Sequence, residues 1–154
     1  MNTIKYSKPL VYDIKDMQTL VEPEVEKGLI LYRSADEMAT TIRSYILAKD
    51  GEQIVGFVAL HIHSTSLAEV RSLIVKESHR NKGIGRALVK SALNEASMLG
   101  LKEVLTLTYH KELFLYLGFK EIPKESIPEH KIWADCIRCK HFPICDEVSL
   151  VFKL

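Results

Sequence analysis

The sequence predicts an α/β (α+β) domain built on a mixed, mostly antiparallel sheet flanked by helices. Three observations carry that expectation. Asp50-Gly51 sits between two apolar runs, Tyr45 to Ala48 and Ile54 to His63. Asp-Gly in that setting is a strong hairpin signal, because glycine accepts positive φ. Glu69 to Val75 is strand-like and rich in β-branched residues. Gly83 to Leu99 has helical period: Ile84, Leu88, Ala92, Ala96 and Leu99 recur at three- and four-residue spacing, and Gly100 stands where a left-handed cap belongs.

The remaining elements follow in order. A short first strand fits between Lys5 and Ile14, around Pro9. Asp16 to Lys27 reads as helix, with Pro23 expected to break it. After the apolar run Leu29 to Tyr32, Ser34-Ala35-Asp36-Glu37 reads as a capping box opening a helix that reaches about Ser44. Val104 to Leu107 is strand-like, Lys111 to Leu117 a short helix closed by Gly118, and Val148 to Phe152 a last strand. Pro123 and Pro128 mark a loop. Mixed strands and helices of this kind make a layered sheet-and-helix domain.

Composition bounds the function. The chain has 154 residues, room for one domain, 1–154. Lys and Arg number 21 against 20 Asp and Glu, a formal charge of +1, so no global field draws nucleic acid. An apolar share of 47% supports a core and excludes whole-chain disorder. No run approaches the ~18 apolar residues of a membrane span. Met1 to Leu10 shows no apolar secretory signal. The three cysteines are an odd number in a short stretch, which points to a reducing cytoplasm rather than a disulfide framework.

The chemistry concentrates between Val70 and Leu88. A strand runs into the basic turn Arg80-Asn81-Lys82-Gly83-Ile84-Gly85-Arg86, which opens the long helix. A helix start leaves backbone amides without intrahelical partners and adds partial positive charge. Gly83 and Gly85 let a phosphate approach those amides, and Arg80, Lys82 and Arg86 add full charges. A diphosphate is the natural guest.

Arg80-x-x-Gly83-x-Gly85, preceded by Leu73-x-Val75, resembles the acetyl-CoA-binding motif of the GCN5-related N-acetyltransferases (GNAT). Phe114 to Phe119 is similar to the signature that follows in that family, and the likeness covers about Leu29 to Ile122. It implies a GNAT-type sheet whose central strands splay apart, with acetyl-CoA in the gap. It further implies that Leu73, Ile74 and Val75 face the pantetheine arm, Val75 offering an oxyanion donor. Asn81 and Ile84 would complete the coenzyme turn. A narrower likeness, in Gly28 to Glu37, Ala68 to Val70 and Leu105 to Thr108, is to N-acetylglutamate synthase, the amino-acid acetyltransferase of arginine biosynthesis. That implies L-glutamate as the small-molecule amine substrate, and it leaves a homodimer open.

Direct attack by an α-amine needs a base, and Glu69 is the first candidate, with His61 and His63 on one strand face as relays. A dicarboxylate needs cations: Arg33 matches the synthase-like motif, and Arg71 shares a strand face with Glu69. Either carboxylate or guanidinium could instead serve in a structural pair. Many family members place a general-acid Tyr where this chain has Phe114. Tyr116 lies about 200° further round the helix, and Tyr109 is a second phenol to weigh.

Cys136, Cys139 and Cys145, with His141, give up to four soft or imidazole ligands within segment 131–147. A structural zinc needs about four such ligands in tetrahedral array. The cramped spacing weighs instead toward reduced thiols, packed or lining the substrate pocket. Rival functions are acetylation of another small amine or a protein N-terminus, and a catalytically silent acyl-CoA-binding module.

Overall fold

A computed structural model describes residues 3–127 and 147–154. The strands are β1 (Ile4–Ser7), β2 (Tyr45–Asp50), β3 (Gln53–Ile62), β4 (Leu67–Val75), β5 (Glu103–Thr108), β6 (Lys120–Ile122) and β7 (Val148–Lys153). The helices are α1 (Ile14–Glu26), α2 (Ala35–Thr40), α3 (Ile84–Met98) and α4 (Lys111–Tyr116). The strands form one seven-stranded sheet in the order β1-β2-β3-β4-β5-β7-β6. Only the β4–β5 pairing is parallel. A mixed, mostly antiparallel sheet is therefore present as expected. Among the described residues no helix is long and apolar enough to cross a membrane.

Each face of the sheet has its own core. On one face α3 buries Ile84, Leu88, Val89, Ala92 and Ala96 against Val58, Leu60, Val70 and Val104. On the other, α1 contributes Ile14 and Met17 and α2 contributes Met38, packed on Tyr45, Leu47, Phe57 and Ile74. Stripes at helical spacing meet the alternating positions of the strands, so both periods are satisfied together.

Some local expectations are corrected. Helix α1 runs through Pro23 without a break. Pro23 removes one amide hydrogen bond, the one its nitrogen would give to the Thr19 carbonyl, and the burial of Ile14 and Met17 keeps the helix seated despite that loss. Helix α2 stops at Thr40, and Ile42–Ser44 is a separate 3-10 turn. The hydroxyls of Thr40 and Thr41 both donate to the Glu37 carbonyl at 2.9 Å, competing with continuation of the helix. The capping box forms as expected: the Glu37 amide donates to Ser34 Oγ at 3.1 Å and the Ser34 amide to the Glu37 carboxylate at 3.4 Å. The first strand ends at Ser7, before Pro9, and a 3-10 turn occupies Val11–Asp13.

Gly56 on β3 sits where β4 and α3 both come close. A Cβ there would lie 2.8 Å from the Ile74 carbonyl oxygen and 3.3 Å from a Leu88 methyl. A Gly56→Ala variant is therefore expected to lose about 1–3 kcal/mol, the usual cost of overpacking. Urea unfolding followed by circular dichroism checks this, and an unchanged midpoint would contradict the close approach.

Candidate active site

The sheet opens at its centre. Strands β4 and β5 pair at Leu67↔Glu103, Ala68↔Val104 and Glu69↔Leu105, and no further. Beyond that point the Thr106 hydroxyl donates to the Val70 carbonyl at 2.9 Å, taking the place of a ladder bond. The strands then diverge around a cleft of about 400 Å³. Val70 to Val75 line one wall, Thr106 to His110 the other, and Gly85 of α3 stands at its end.

A bulge shapes the β4 wall. Phe57 pairs with Ile74 and Ala59 with Arg71, so Val58 faces both Ser72 and Leu73. Ser72 takes φ 58°, a left-handed conformation uncommon for a residue with a side chain. The extra residue inverts the alternation. Ala68 and Val70 pack on the α3 side, and so do Leu73 and Val75, while Ile74 packs on the α1 side. The amide of Lys76 donates to the Val55 carbonyl of β3 at 2.7 Å. Backbone alternation therefore turns the preceding Val75 amide toward the gap. Sequence reasoning missed Ser72. The signal for it was adjacent Arg71-Ser72 followed by three apolar residues, which breaks strict alternation.

The basic turn lies at the mouth of the cleft. Asn81 and Gly83 have φ 62° and 84°, and Gly83 is the N-cap of α3 with no side-chain cap bond. Lys82 is exposed and Ile84 is buried in the core, so Ile84 anchors the turn. A Cβ on Gly85 would touch only Val75 and Leu113 side chains, both at 3.8 Å. Arg80 reaches across instead of outward: its Nε donates to the Val75 carbonyl at 3.0 Å, and its Nη2 lies 3.6 Å from the Glu24 carboxylate of α1. The Arg86 guanidinium lies 4.2 Å above the Tyr116 ring centroid.

The other predicted residues gather on the α1 side. Glu69, at the last β4–β5 pair, is 2% exposed and accepts from or shares a proton with His63 Nε2 at 2.8 Å. The His61 and His63 rings meet edge to face with centroids 4.8 Å apart. The cleft lining begins one residue later, at Val70. Arg33 lies in a second cavity of about 470 Å³ beneath α1, with Tyr45, Phe57 and Ser72. Its Nη1 is 3.9 Å from the Glu37 carboxylate, and its carbonyl accepts from Gln18 Nε2 at 3.2 Å. Burial pushes the Tyr45 phenol pKa up, and the nearby charges of Arg33 and Arg71 offset part of that rise. Ile30 and Ser72 line both cavities, so the two lie side by side.

Phe114 is buried against Phe119 with centroids 5.1 Å apart, and Tyr109 lines the cleft. Among the described residues no cluster of three or more His, Cys, Asp or Glu is arranged to hold a metal ion. Cys136, Cys139, Cys145 and His141 lie outside the described residues.

The parallel strand pair opens beside the start of α3, where backbone amides lack intrahelical partners. The acetyltransferase (GNAT) domain family model matches residues 41–121, and the chain belongs to that family. An uncharacterized N-acetyltransferase of Chlorobaculum tepidum is 39% identical over 92% of this chain and 91% of its own length. An amino-acid acetyltransferase of Mycobacterium tuberculosis is 34% identical over 64% of this chain, which spans 55% of that protein. That of Haemophilus ducreyi is 25% identical over 78% of this chain, which spans 28% of it. In fold, the chain superposes over its full length on 36% of N-acetylglutamate synthase from Neisseria gonorrhoeae, complexed with coenzyme A and N-acetyl-glutamate, with TM-score 0.87 and 21% identity. The protein is an acetyl-CoA-dependent N-acetyltransferase, and the splayed β4–β5 gap matches the GNAT fold.

The two glycines of the turn should behave differently. Gly83→Ala forces a side chain into left-handed backbone and is expected to cost about 1–2 kcal/mol of stability. Gly85→Ala meets only ordinary contacts and is expected to leave folding stability unchanged or slightly higher. Thermal melts of both variants check the contrast.

Proposed function

We propose that the chain transfers the acetyl group of acetyl-CoA to the α-amine of L-glutamate, in a reducing cytoplasm, as a step of arginine biosynthesis. One observation carries the reading: the cavity holding Arg33 borders the β4–β5 cleft, the two sharing Ile30 and Ser72 in their linings. A carboxylate held there places its own amine toward the strand gap. The names of the relatives, amino-acid acetyltransferase among them, support the same substrate class.

The residues fit the coenzyme. The open start of α3, with Gly83 and Gly85 and the charges of Arg80, Lys82 and Arg86, suits its diphosphate, with Asn81 and Ile84 shaping the turn. Leu73, Ile74 and Val75 line the arm of the cleft. When bound, the coenzyme supplies an electrophilic thioester carbonyl. The Val75 amide turned to the gap stabilises negative charge on that oxygen. Arg33 holds one substrate carboxylate by its guanidinium fork, and Arg71 takes the second. Glu69 lies one residue outside the cleft lining, so it takes through water the proton that the amine loses as its nitrogen bonds the acetyl carbon and the carbon–sulfur bond breaks. In this reading Tyr109, which lines the cleft, returns a proton to the leaving sulfur.

The test is release of free thiol from acetyl-CoA by purified protein. L-glutamate should support it well, and D-glutamate, spermidine and kanamycin poorly. Turnover with another amine and none with L-glutamate would overturn the substrate assignment; coenzyme binding with no turnover would instead favour a silent acyl-CoA module. Glu69→Gln is expected to lower kcat roughly 10²- to 10⁴-fold, the span of general-base contributions. Arg33→Ala is expected to raise the KM for L-glutamate roughly 10- to 100-fold, from loss of a charged hydrogen bond.

A further inference from the structure

Ser72 holds a strained place in the wall between the two cavities. Its φ of 58° is left-handed, where a Cβ crowds the backbone. It lines both the β4–β5 cleft and the cavity that holds Arg33. Among the described residues the Ser and Thr side chains lining these two cavities are Thr19, Ser72, Thr106 and Thr108. The Thr19 hydroxyl donates to the Lys15 carbonyl at 3.0 Å and that of Thr106 to the Val70 carbonyl at 2.9 Å. Thr108 Oγ1 accepts from the His110 amide at 2.9 Å. Ser72 Oγ alone of the four makes no hydrogen bond among the described residues. Neither a left-handed side-chain residue nor an unengaged hydroxyl helps the chain to fold, and features of that kind gather where a ligand is handled.

We infer that the Ser72 hydroxyl binds the acceptor: its oxygen accepts a hydrogen bond from the attacking amine and so aims the nitrogen into the cleft. This role rests on acetyl transfer in the β4–β5 cleft and on an acceptor held from the Arg33 side, as proposed above. A hydroxyl suits the task. The amine attacks as a neutral group with its lone pair free. A carboxylate in direct contact would favour the ammonium, because hydrogen bonding to a charged form stabilises that form. A hydroxyl oxygen is uncharged and takes one N–H on a lone pair of its own, leaving the nitrogen lone pair to point at the acetyl carbon. Glu69, one residue outside the cleft lining, then receives the proton through water without gripping the ammonium. The bulge supplies the placement. Unbroken alternation from Val70 would turn residue 72 toward α3, whereas the bulged Ser72 lines the cavity beneath α1.

Two variants separate the hydroxyl from the backbone that presents it. Ser72→Ala removes the oxygen and keeps a Cβ in left-handed backbone. Ser72→Gly removes the oxygen and relieves the strain. Thermal melts should therefore place Ser72→Gly above Ser72→Ala. Despite opposite effects on strain, both should lower kcat/KM for the acceptor roughly 10-fold or more, the loss of one hydrogen bond that also orients the nucleophile. Isothermal titration should show both binding coenzyme A as the parent does. The acceptor is L-glutamate, or spermidine or kanamycin where the parent turns over that amine instead. Such a switch of amine would overturn the glutamate reading and leave the Ser72 comparison intact. Acceptor kcat/KM retained in either variant would overturn the hydroxyl's role, since neither carries the oxygen. A matching loss of coenzyme A affinity, or a parent inert toward all three amines, would overturn it too.

Discussion

Strand β4 loses its β5 neighbour after Glu69, and the outward backbone groups of the next six residues must find other partners in a place where buried polar groups are costly when unmet. The protein answers part of this demand itself. The Thr106 hydroxyl serves the Val70 carbonyl and the Arg80 side chain serves the Val75 carbonyl. The edge between them faces the cleft. An extended, amide-bearing arm can add to such an edge much as a further strand would. The same opening brings the start of α3 to the cleft mouth, so the open strand edge and the open helix amides border one cleft.

The Ser72 bulge turns this opening into a two-sided site. Without it, alternation would put Leu73 and Val75 on the same face as Glu69 and Arg71. With it, the apolar pair packs toward α3, while Glu69 and Arg71 keep to the α1 side with Arg33 and Tyr45. The proposed coenzyme and acceptor sites therefore lie on opposite faces of one strand, on either side of its bend. A left-handed Ser costs on the order of 1–3 kcal/mol, and strain of that kind collects where function holds it.

Helix α1 links the two halves. Its Glu24 meets Arg80 at 3.6 Å, and Gln18 meets the Arg33 carbonyl at 3.2 Å. One element therefore touches both the residue proposed for the diphosphate and the residue proposed for the substrate carboxylate. Burial of Ile14 and Met17 keeps it seated through Pro23.

The sequence by itself determined the elements whose cause is local. The Asp50-Gly51 hairpin, the Ser34–Glu37 capping box, the stripe of α3 and the basic turn with its glycines all form where their residues place them. Each depends on neighbours within a few positions, so pattern and propensity suffice. The three-residue β6 carries too little alternation to read, and it exists because β7 offers it a partner. The tertiary structure alone decided that Arg80 bonds Val75 and Glu24, that His63 meets Glu69 at 2.8 Å, and that Arg33 and Tyr45 line one cavity. It also decided that Tyr116 stands outside under Arg86, whereas Phe114 packs inside. Those facts join residues far apart in the chain, and only the closing of the sheet around its own gap sets which of them meet.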